Sequence, residues 1–367
     1  MSNHDINLAL TFDDVLLLPG FADFTRSEIN LDTNLTSKIK LQLPLVSAPM
    51  DRVTESRLAI ALGKLGGIGI IHRNLTISDQ VAEVLKVKKE QLLVGAAIGA
   101  TLGHGERVKA LFKAGVDVIV VDSAHGFSKS VIETTKSIKK SHPKLQVISG
   151  NVATFDGAKA LIRAGADGLR VGMGPGSICS TRIISGMGVP QITALEETVR
   201  AAKPTNTPVI ADGGIRYSGD ITKALAIGAS SVMMGSLFAA TDESPGRIIT
   251  LRRDGKLSKF KEYRGMGSEG AMKTGAKIKS EGEFHNKEYN KTTLIAEGIE
   301  GIVPLQGPLR EFTELMMGGL RSGMYYVGAK SLPELSKKAK FIKITQASLQ
   351  ESHPHDVFIT NGGKNYR

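Results

Sequence analysis

Short runs of Val, Ile, Leu and Ala recur along the first two thirds of the chain, and each is closed by glycine or a polar residue. The runs lack the apolar–polar alternation that marks a sheet with one face in water. Continuous apolar runs of this kind predict parallel strands that are buried on both faces. Eight such runs are present, at residues 44–48, 67–72, 92–99, 116–122, 146–151, 168–174, 208–213 and 231–236.

Amphipathic segments with apolar residues three and four positions apart lie between most of these runs. They cover residues 54–65, 105–114, 128–140, 155–164, 192–202 and 218–227. Gly115, Gly165 and Gly228 stand where a helix would end and the next run begins, a position at which glycine closes a helix. This alternation predicts an α/β protein with a (β/α)8 TIM barrel rather than an open dinucleotide-binding sheet.

The length of 367 residues suits one such barrel with extensions, and we predict a single catalytic domain over 1–367. One cysteine excludes an intramolecular disulfide framework and a cysteine-rich zinc site. The chain has no apolar stretch of ~18 residues and no basic, then apolar, N-terminus. We therefore expect a cytoplasmic protein with neither a membrane span nor a signal peptide.

The formal charge of +11 is compatible with nucleic acid, a membrane surface or anionic metabolites as partners. Lys and Arg are spread over helix-like stretches, and no dense basic cluster marks a nucleic-acid surface. The aromatic share is 5% and Trp is absent, which disfavours a stacking platform for single strands. We expect no nucleic-acid partner.

Polar residues or glycine follow most of the predicted strands. In a TIM barrel the active site is built from the carboxyl ends of the strands and the loops that follow them. A single polar residue there could simply cap the next helix, but seven together favour a functional site. They are Ser47, His72, Asp122, Asn151, Gly174, Asp212 and Ser236.

The loop after the sixth run reads GMGPGSICSTR, at residues 172–182. It superficially matches the G-x-G-x-x-G dinucleotide motif, but Pro175 and Cys179 replace the helix that the motif requires. Backbone groups of such a loop can face an ion or a phosphate. Cys179 has Gly, Ser and Thr neighbours instead of apolar ones, which favours a nucleophile over a buried structural thiol.

The loops after the seventh and eighth runs, 211–216 and 234–236, are rich in glycine. Loops seven and eight of a TIM barrel are the usual phosphate site, and glycine lets backbone N–H groups approach the anion. Asp212 could accept both hydroxyls of a ribose. The alternative is that these glycines serve only tight turns that need a positive φ.

Residues 240–305 are charged, glycine-rich and poorly periodic, which predicts a long lid or binding loop. Within it, Glu297 could read the N–H edge of a purine. An amphipathic helix pair is expected over 308–340 and an extended tail over 351–367. His353 and His355 lack a second ligand pair, so the sequence does not favour a histidine metal site.

Nine motifs resemble those of the IMP dehydrogenase/GMP reductase family, and together they span nearly the whole chain. They are TFDDVLLLP (11–19), SAPMD (47–51), GMGPGSICSTR (172–182), GMGVPQ (186–191), ADGGIRYSGD (211–220), YRGMGS (263–268), EGIEG (297–301), GGLRSGM (318–324) and ESHPHDV (351–357). The resemblance is greatest to bacterial IMP dehydrogenases.

The resemblance implies covalent chemistry at purine C2, with Cys179 as the nucleophile and Thr181 and Glu297 as further catalytic residues. It implies substrate contacts from Ser47, Ser177, Asp212, Gly214, Gly235, Ser236, Tyr263, Gly265, Met266, Gly267 and Glu297. It implies nicotinamide-nucleotide contacts from Asp122, Ser123, Gly172 and Gly174. A potassium site is implied at Gly174, Gly176 and Cys179, completed by Glu351, Ser352 and His353, typically from a neighbouring subunit of a homotetramer.

Two departures from IMP dehydrogenases leave the direction of the reaction open. The pair of CBS modules usually inserted between strands two and three is absent near 87–92. The adjacent Arg-Tyr pair that activates water is also missing, since residues 269–297 contain no Arg. Glu288 and Tyr289 resemble a reductase flap, within a mobile flap expected over 263–300. The resemblance thus favours conversion of IMP to XMP with NAD, and leaves reduction of GMP with NADPH as the alternative.

Overall fold

The computed structural model describes residues 6–101, 103–253, 256–282 and 295–363. Its centre is a closed barrel of eight parallel strands, so the predicted (β/α)8 fold is confirmed. Strand 8 closes the barrel by pairing with strand 1. Barrel strands 1 to 8 are Leu45–Ser47, Ile68–Ile71, Val94–Ile98, Val118–Asp122, Gln146–Val152, Gly168–Val171, Val209–Asp212 and Ser231–Met234.

A helix follows each of barrel strands 1 to 7 and packs outside the barrel. These helices are Ser56–Lys64, Ile77–Lys89, His104–Lys113, Lys129–Ser141, Phe155–Arg163, Gln191–Ala202 and Ser218–Ala226. Two short helices, Thr181–Ser185 and Ser236–Ala239, stand directly after strands 6 and 8. The predicted helix pair near the C-terminus is confirmed as Leu309–Val327 and Leu332–Lys338. None of the described helices is long and apolar enough to cross a membrane.

The remaining regular elements flank the barrel. Two small antiparallel sheets pair Val15–Leu17 with Phe341–Lys343, and Thr33–Asn34 with Lys40–Leu41. Single 3-10 turns occupy Phe12–Asp14, Arg26–Glu28 and Lys203–Thr205. The last helix is Gln346–Glu351, and residues 353–363 form neither helix nor strand.

The predicted glycine junctions are confirmed, because Gly115, Gly165 and Gly228 all have positive φ just after a helix. Asp117 and Asp167 follow two of these junctions and make matching contacts at the amino-terminal face of the barrel. Lys88 donates to Asp117 over 2.9 Å, and Lys139 donates to Asp167 over 2.8 Å. Each carboxylate also accepts the N–H of a residue in the preceding barrel strand, Val94 or Val147, over 2.8 Å. We call these two contacts the Lys–Asp staples.

The prediction of an irregular loop over 240–305 is wrong for most of the described part. Strands Ile248–Arg253, Lys256–Arg264 and Glu300–Pro304 form an antiparallel sheet, and helix Glu269–Gly282 follows its central strand. Lys261 of that strand is buried and donates to the Ser244 carbonyl over 2.7 Å. The flap residues Lys287, Glu288, Tyr289 and Lys291 lie outside the described residues.

Candidate active site

A cavity of about 630 Å³ opens at the carboxyl ends of the barrel strands. Its size is within the range of small-molecule sites, roughly 300–1,000 Å³. Loops that follow several different barrel strands meet here, although their residues are far apart in the sequence. The sequence-predicted residues that line it are Asp122, Ser123, Gly172, Gly174, Gly176, Ser177, Cys179, Thr181, Asp212, Gly214, Gly235, Ser236, Tyr263, Gly265, Met266, Gly267 and Glu297.

Cys179 lies in the loop after barrel strand 6 and its side chain is exposed to the cavity. Its thiol donates to the Thr181 hydroxyl over 3.2 Å. The Cys179 N–H donates to the Gly176 carbonyl over 3.0 Å, which makes a tight turn just before the thiol. The thiol is therefore held by its own loop in a position that a ligand in the cavity can reach.

Arg182 holds this loop in its folded shape. Its guanidinium donates to the carbonyls of Met173 and Val189, over 3.4 and 2.9 Å. The alkyl part of the side chain lies against Gly174 and Gly188, where a Cβ atom would come within 2.6 Å of Arg182 Cγ. The glycines before and after the nucleophile thus make room for the side chain that closes the loop.

The Cys179 loop is also paired through its backbone with the segment that carries Glu297. Ser180 N–H donates to the Glu297 carbonyl and Ile299 N–H donates to the Ile178 carbonyl, both over 3.0 Å. Glu297 N–H in turn donates to the Gly267 carbonyl over 3.1 Å. The nucleophile loop, residues 265–267 and residues 297–299 therefore form one hydrogen-bonded unit.

Loops seven and eight meet Tyr263 at one end of the cavity. Gly214 has a φ of +79°, so the turn after Asp212 needs a residue without a Cβ. The Tyr263 hydroxyl donates to the Met50 sulfur over 3.9 Å, and burial raises the pKa of this phenol far above its ordinary value. A phenol that stays protonated remains a donor for an anionic ligand. Ser236 begins the short helix at the same end.

A charged network crosses the floor of the cavity. Arg170 of barrel strand 6 donates to Asp212 over 2.8 Å and also to Asp122. Asn151 donates to Asp212 over 2.8 Å, and Arg73 donates to Asp122 over 3.1 Å. Burial alone would raise the pKa of Asp122, but the charges of Arg170 and Arg73 outweigh it and the pKa is lowered. Asp122 is therefore ionised at neutral pH.

A second ion pair holds the base of the flap. Arg264, at the end of its central strand, contacts both carboxylate oxygens of Asp51 over 2.6 to 3.2 Å. Asn74 donates to Asp51 over 3.3 Å and to the carbonyl of Ala271 in the flap helix over 3.1 Å. Tyr263 and Gly265, which line the cavity, flank Arg264, so this pair fixes the cavity wall.

Several predicted residues lie elsewhere. Ser47 is fully buried, accepts a hydrogen bond from Thr54 over 2.7 Å and does not line the cavity. His72 is also buried outside it, with its Nε2 atom 3.5 Å from Glu55. Glu351 is the last residue of the last helix, and Ser352 and His353 follow it. These three residues do not line the cavity of their own chain, and the His353 ring packs edge-on against Tyr217.

Sequence reasoning missed Arg73, Arg170, Asp51 and Arg264. The strand Gly168–Val171 contained a usable signal, because an arginine inside an otherwise apolar barrel strand needs a buried anionic partner. Asp51 lies inside a recognised motif but was assigned no role there.

Comparison with known proteins agrees with the family resemblance seen in the sequence motifs. Residues 9–355 match the family described as IMP dehydrogenase / GMP reductase domain. The chain is 44% identical to the inosine-5'-monophosphate dehydrogenase of Cryptosporidium parvum, with 100% of both chains covered. It is 45% identical to the protein of that name from Borreliella burgdorferi, covering 98% of this chain and 99% of the relative.

A third relative is longer. The chain is 40% identical to the inosine-5'-monophosphate dehydrogenase of Rhodopirellula baltica, covering 98% of this chain and 88% of the relative. That alignment extends over 487 positions, well beyond the 367 residues of this chain. The relative therefore contains a substantial number of residues that have no counterpart here.

Proposed function

The chain belongs to the IMP dehydrogenase/GMP reductase family, and we propose that it is an IMP dehydrogenase, which oxidises IMP to XMP with NAD. The observation that carries the proposal is the exposed Cys179 thiol, which shares one cavity with Asp212, Tyr263 and Glu297. A thiol of this kind is a nucleophile, and Tyr263, Asp212 and Glu297 suit the phosphate, the sugar and the base of a purine nucleotide, respectively. The IMP dehydrogenase relatives support the substrate.

The nucleotide is proposed to lie along the cavity, with its 5′-phosphate at the end formed by loops seven and eight. Its donors would be Ser177, Ser236 and the protonated Tyr263, with backbone groups at Gly214 and Gly235. A carboxylate can accept hydrogen bonds from two ribose hydroxyls, and Asn151 and Arg170 orient Asp212 for that role. The purine would then lie toward Met266, Gly267 and Glu297, beside the thiol.

The chemistry follows from the electrophilic C2 carbon of the hypoxanthine ring. The Cys179 thiolate forms a bond to C2, the C2 hydrogen leaves as hydride with its electron pair, and a thioimidate remains. Water then adds to C2 and the thiolate leaves, which gives XMP and restores the enzyme. The Thr181 hydroxyl accepts a hydrogen bond from the thiol over 3.2 Å and so orients the sulfur before the thiolate forms.

The hydrolytic step has to use groups other than an arginine of residues 269–297, because that segment contains none. Thr181 and Glu297 are our candidates, since both line the cavity and Glu297 is tied by its carbonyl to Ser180, next to Cys179. A positioned general base contributes about 10²–10⁴ to a rate. The alternative is Tyr289 acting with Lys287 or Lys291, which stand two positions before and after it in the sequence.

NAD supplies the hydride-accepting nicotinamide ring when bound. We propose Asp122, Ser123, Gly172 and Gly174 as its contacts. The fit rests on Asp122, whose carboxylate lines the cavity and is held ionised by two arginines. An ionised carboxylate is suited to accept hydrogen bonds from the ribose hydroxyls of the nicotinamide nucleotide.

We propose a potassium ion on the carbonyls of Gly174, Gly176 and Cys179, with Glu351, Ser352 and His353 contributed by a neighbouring copy. Oxygen donors suit a hard cation of this kind. Among the described residues there is no group of three His, Cys, Asp or Glu that could hold a metal. We expect activity to fall when potassium is replaced by sodium.

A homotetramer and a cytoplasmic location are proposed on the same family basis. Exposed apolar side chains support self-association, since Phe21 is 84% exposed and Tyr326 57% exposed. We also propose a single catalytic domain, a mobile flap over 263–300 and the absence of a CBS insert near 87–92. The last is supported by helix Ile77–Lys89, which leads into barrel strand 3 at Val94.

The test compares two reactions. The protein is incubated with IMP and NAD, and separately with GMP and NADPH, while the absorbance of the reduced nicotinamide is followed. We expect NADH and XMP to form in the first reaction. Consumption of NADPH in the second alone would establish the GMP reductase alternative. Cys179→Ala should abolish turnover in either direction while nucleotide still binds.

A further inference from the structure

Arg170 contacts two carboxylates that the proposed function assigns to two different ligands. Its Nε donates to Asp212, the proposed partner of the nucleotide ribose, over 2.8 Å. Its Nη1 donates to Asp122, the proposed partner of the dinucleotide. The three side chains are only 9%, 14% and 13% exposed, so the interactions are poorly screened by water.

We infer that Arg170 is a positioning residue that couples the nucleotide site to the dinucleotide site through these two carboxylates. The inference rests on the proposed function, because that function assigns the two ligands. Arg170 need not touch either ligand for the coupling. It fixes where both carboxylates point, so a ligand that orders one carboxylate also favours the bound position of the other.

The shape of the guanidinium explains why arginine occupies this position. Its planar fork directs separate N–H groups to two acceptors, while a lysine ammonium is a single point charge on a flexible chain. Asp212 has a further donor in Asn151, and Asp122 has a further partner in Arg73. Asn151 thus donates to Asp212 and Arg73 donates to Asp122, while Arg170 donates to both carboxylates.

This arrangement provides matched controls within the chain. Arg73 donates to Asp122, and its described hydrogen bonds do not include Asp212, so its loss should affect the dinucleotide alone. Arg107 is a buried arginine outside the cavity, which donates to Gln80 and to the Leu75 carbonyl. Arg107 does not line the cavity. Arg107→Lys therefore measures how the loss of a buried guanidinium away from the site affects stability.

The experiment measures binding by titration calorimetry in the unreactive Cys179→Ala background. IMP is titrated alone, and NAD is titrated with IMP at a concentration that saturates each variant. We expect Arg170→Lys to raise the Kd of both ligands by about tenfold or more, because each carboxylate loses a directed contact. Arg73→Met should raise the Kd for NAD by a similar factor and change the Kd for IMP by less than about twofold. Arg107→Lys should leave both affinities unchanged.

A cross-measurement remains available even when Arg170→Lys fails to fold. Asp122→Asn should weaken IMP binding by about threefold or more, although Asp122 is not an assigned IMP contact, because Arg170 then loses one of its two anchors. The coupling is refuted if Asp122→Asn leaves IMP affinity unchanged, or if a folded Arg170→Lys protein affects one ligand only. Failure of the proposed function looks different, since the protein that retains Cys179 would then form no NADH from IMP and NAD.

Discussion

The ion pair between Asp51 and Arg264 is expected to control both the stability of the flap base and the use of the nucleotide. Asp51 is 4% exposed, and its two oxygens accept three contacts from the guanidinium over 2.6 to 3.2 Å. In Asp51→Asn the Arg264 charge stays buried but loses its counter-charge. Tyr263 and Gly265 are bonded to Arg264 on either side, so they should move with it.

The size of the effect follows from burial. Removal of one partner of a buried ion pair costs about 3–5 kcal/mol. Asparagine keeps one oxygen that can still accept from the guanidinium, so we expect a loss of about 2–3 kcal/mol in the free energy of unfolding. The KM for IMP should rise more than kcat falls, because the change affects the cavity wall and not the thiol.

The same pair predicts a pH dependence. Burial alone would raise the pKa of Asp51, but the hydrogen bonds and charge of Arg264 outweigh it and the pKa is lowered. A lowered folded-state pKa stabilises the protein above the unfolded value of about 3.9, and this stabilisation is lost as the pH falls through the folded-state pKa. Asp51→Asn should therefore lose less stability between about pH 4 and the acid limit than the parent protein does.

Denaturant unfolding at pH 7 and at several acidic values, combined with initial rates at varied IMP, tests this reasoning. The Arg264→Gln and double variants complete a cycle that isolates the pair from other losses. An Asp51→Asn protein with unchanged stability and unchanged KM would show that the contact contributes nothing to the flap base.

Three further outcomes are expected. Lys139→Met should lower the free energy of unfolding by about 1–2 kcal/mol, because it breaks a Lys–Asp staple. Lys136→Met, on the exposed face of the same helix, should lower it by less than about 0.5 kcal/mol. Urea unfolding compares the two variants, and equal effects would contradict a stabilising role of the staple. Gly214→Ala should raise the KM for IMP through backbone strain of about 1–2 kcal/mol at its positive φ, whereas Gly219→Ala, with open space around its Cβ, should leave it unchanged. Ile299→Pro removes the N–H that donates to Ile178 and should reduce kcat by about tenfold to a hundredfold with little change in Tm; an unaltered kcat would mean that the backbone pairing does not hold the nucleophile.

The barrel could be predicted from the sequence, because a buried parallel sheet needs continuous apolar runs and the chain has eight of them. Most residues that line the cavity could be predicted as well, since the carboxyl ends of the strands share one face of the barrel. Ser47 shows the limit of that rule. A polar residue that ends a strand can turn inward to a structural partner, here Thr54, and position alone does not distinguish the two cases.

The antiparallel sheet next to the barrel was not predictable by the same means. Its central strand places Leu257, Phe260 and Tyr263 three residues apart, a spacing that is typical of helices and not of strands. Lys261 is buried in this strand because a single carbonyl, at Ser244, accepts from it. The hydrogen bond that offsets the burial of Lys261 is a tertiary contact, so the local sequence pattern does not reveal it.

The two Lys–Asp staples lie at the amino-terminal face of the barrel, and the cavity opens at the opposite face. Mutations that remodel the mouth are therefore separated from these determinants of barrel register by the length of the strands. A chain built in this way can accumulate changes in its loops without a matching loss of the folded scaffold. This separation makes the fold evolvable, and it is consistent with one family containing both an oxidation and a reduction of the same purine carbon.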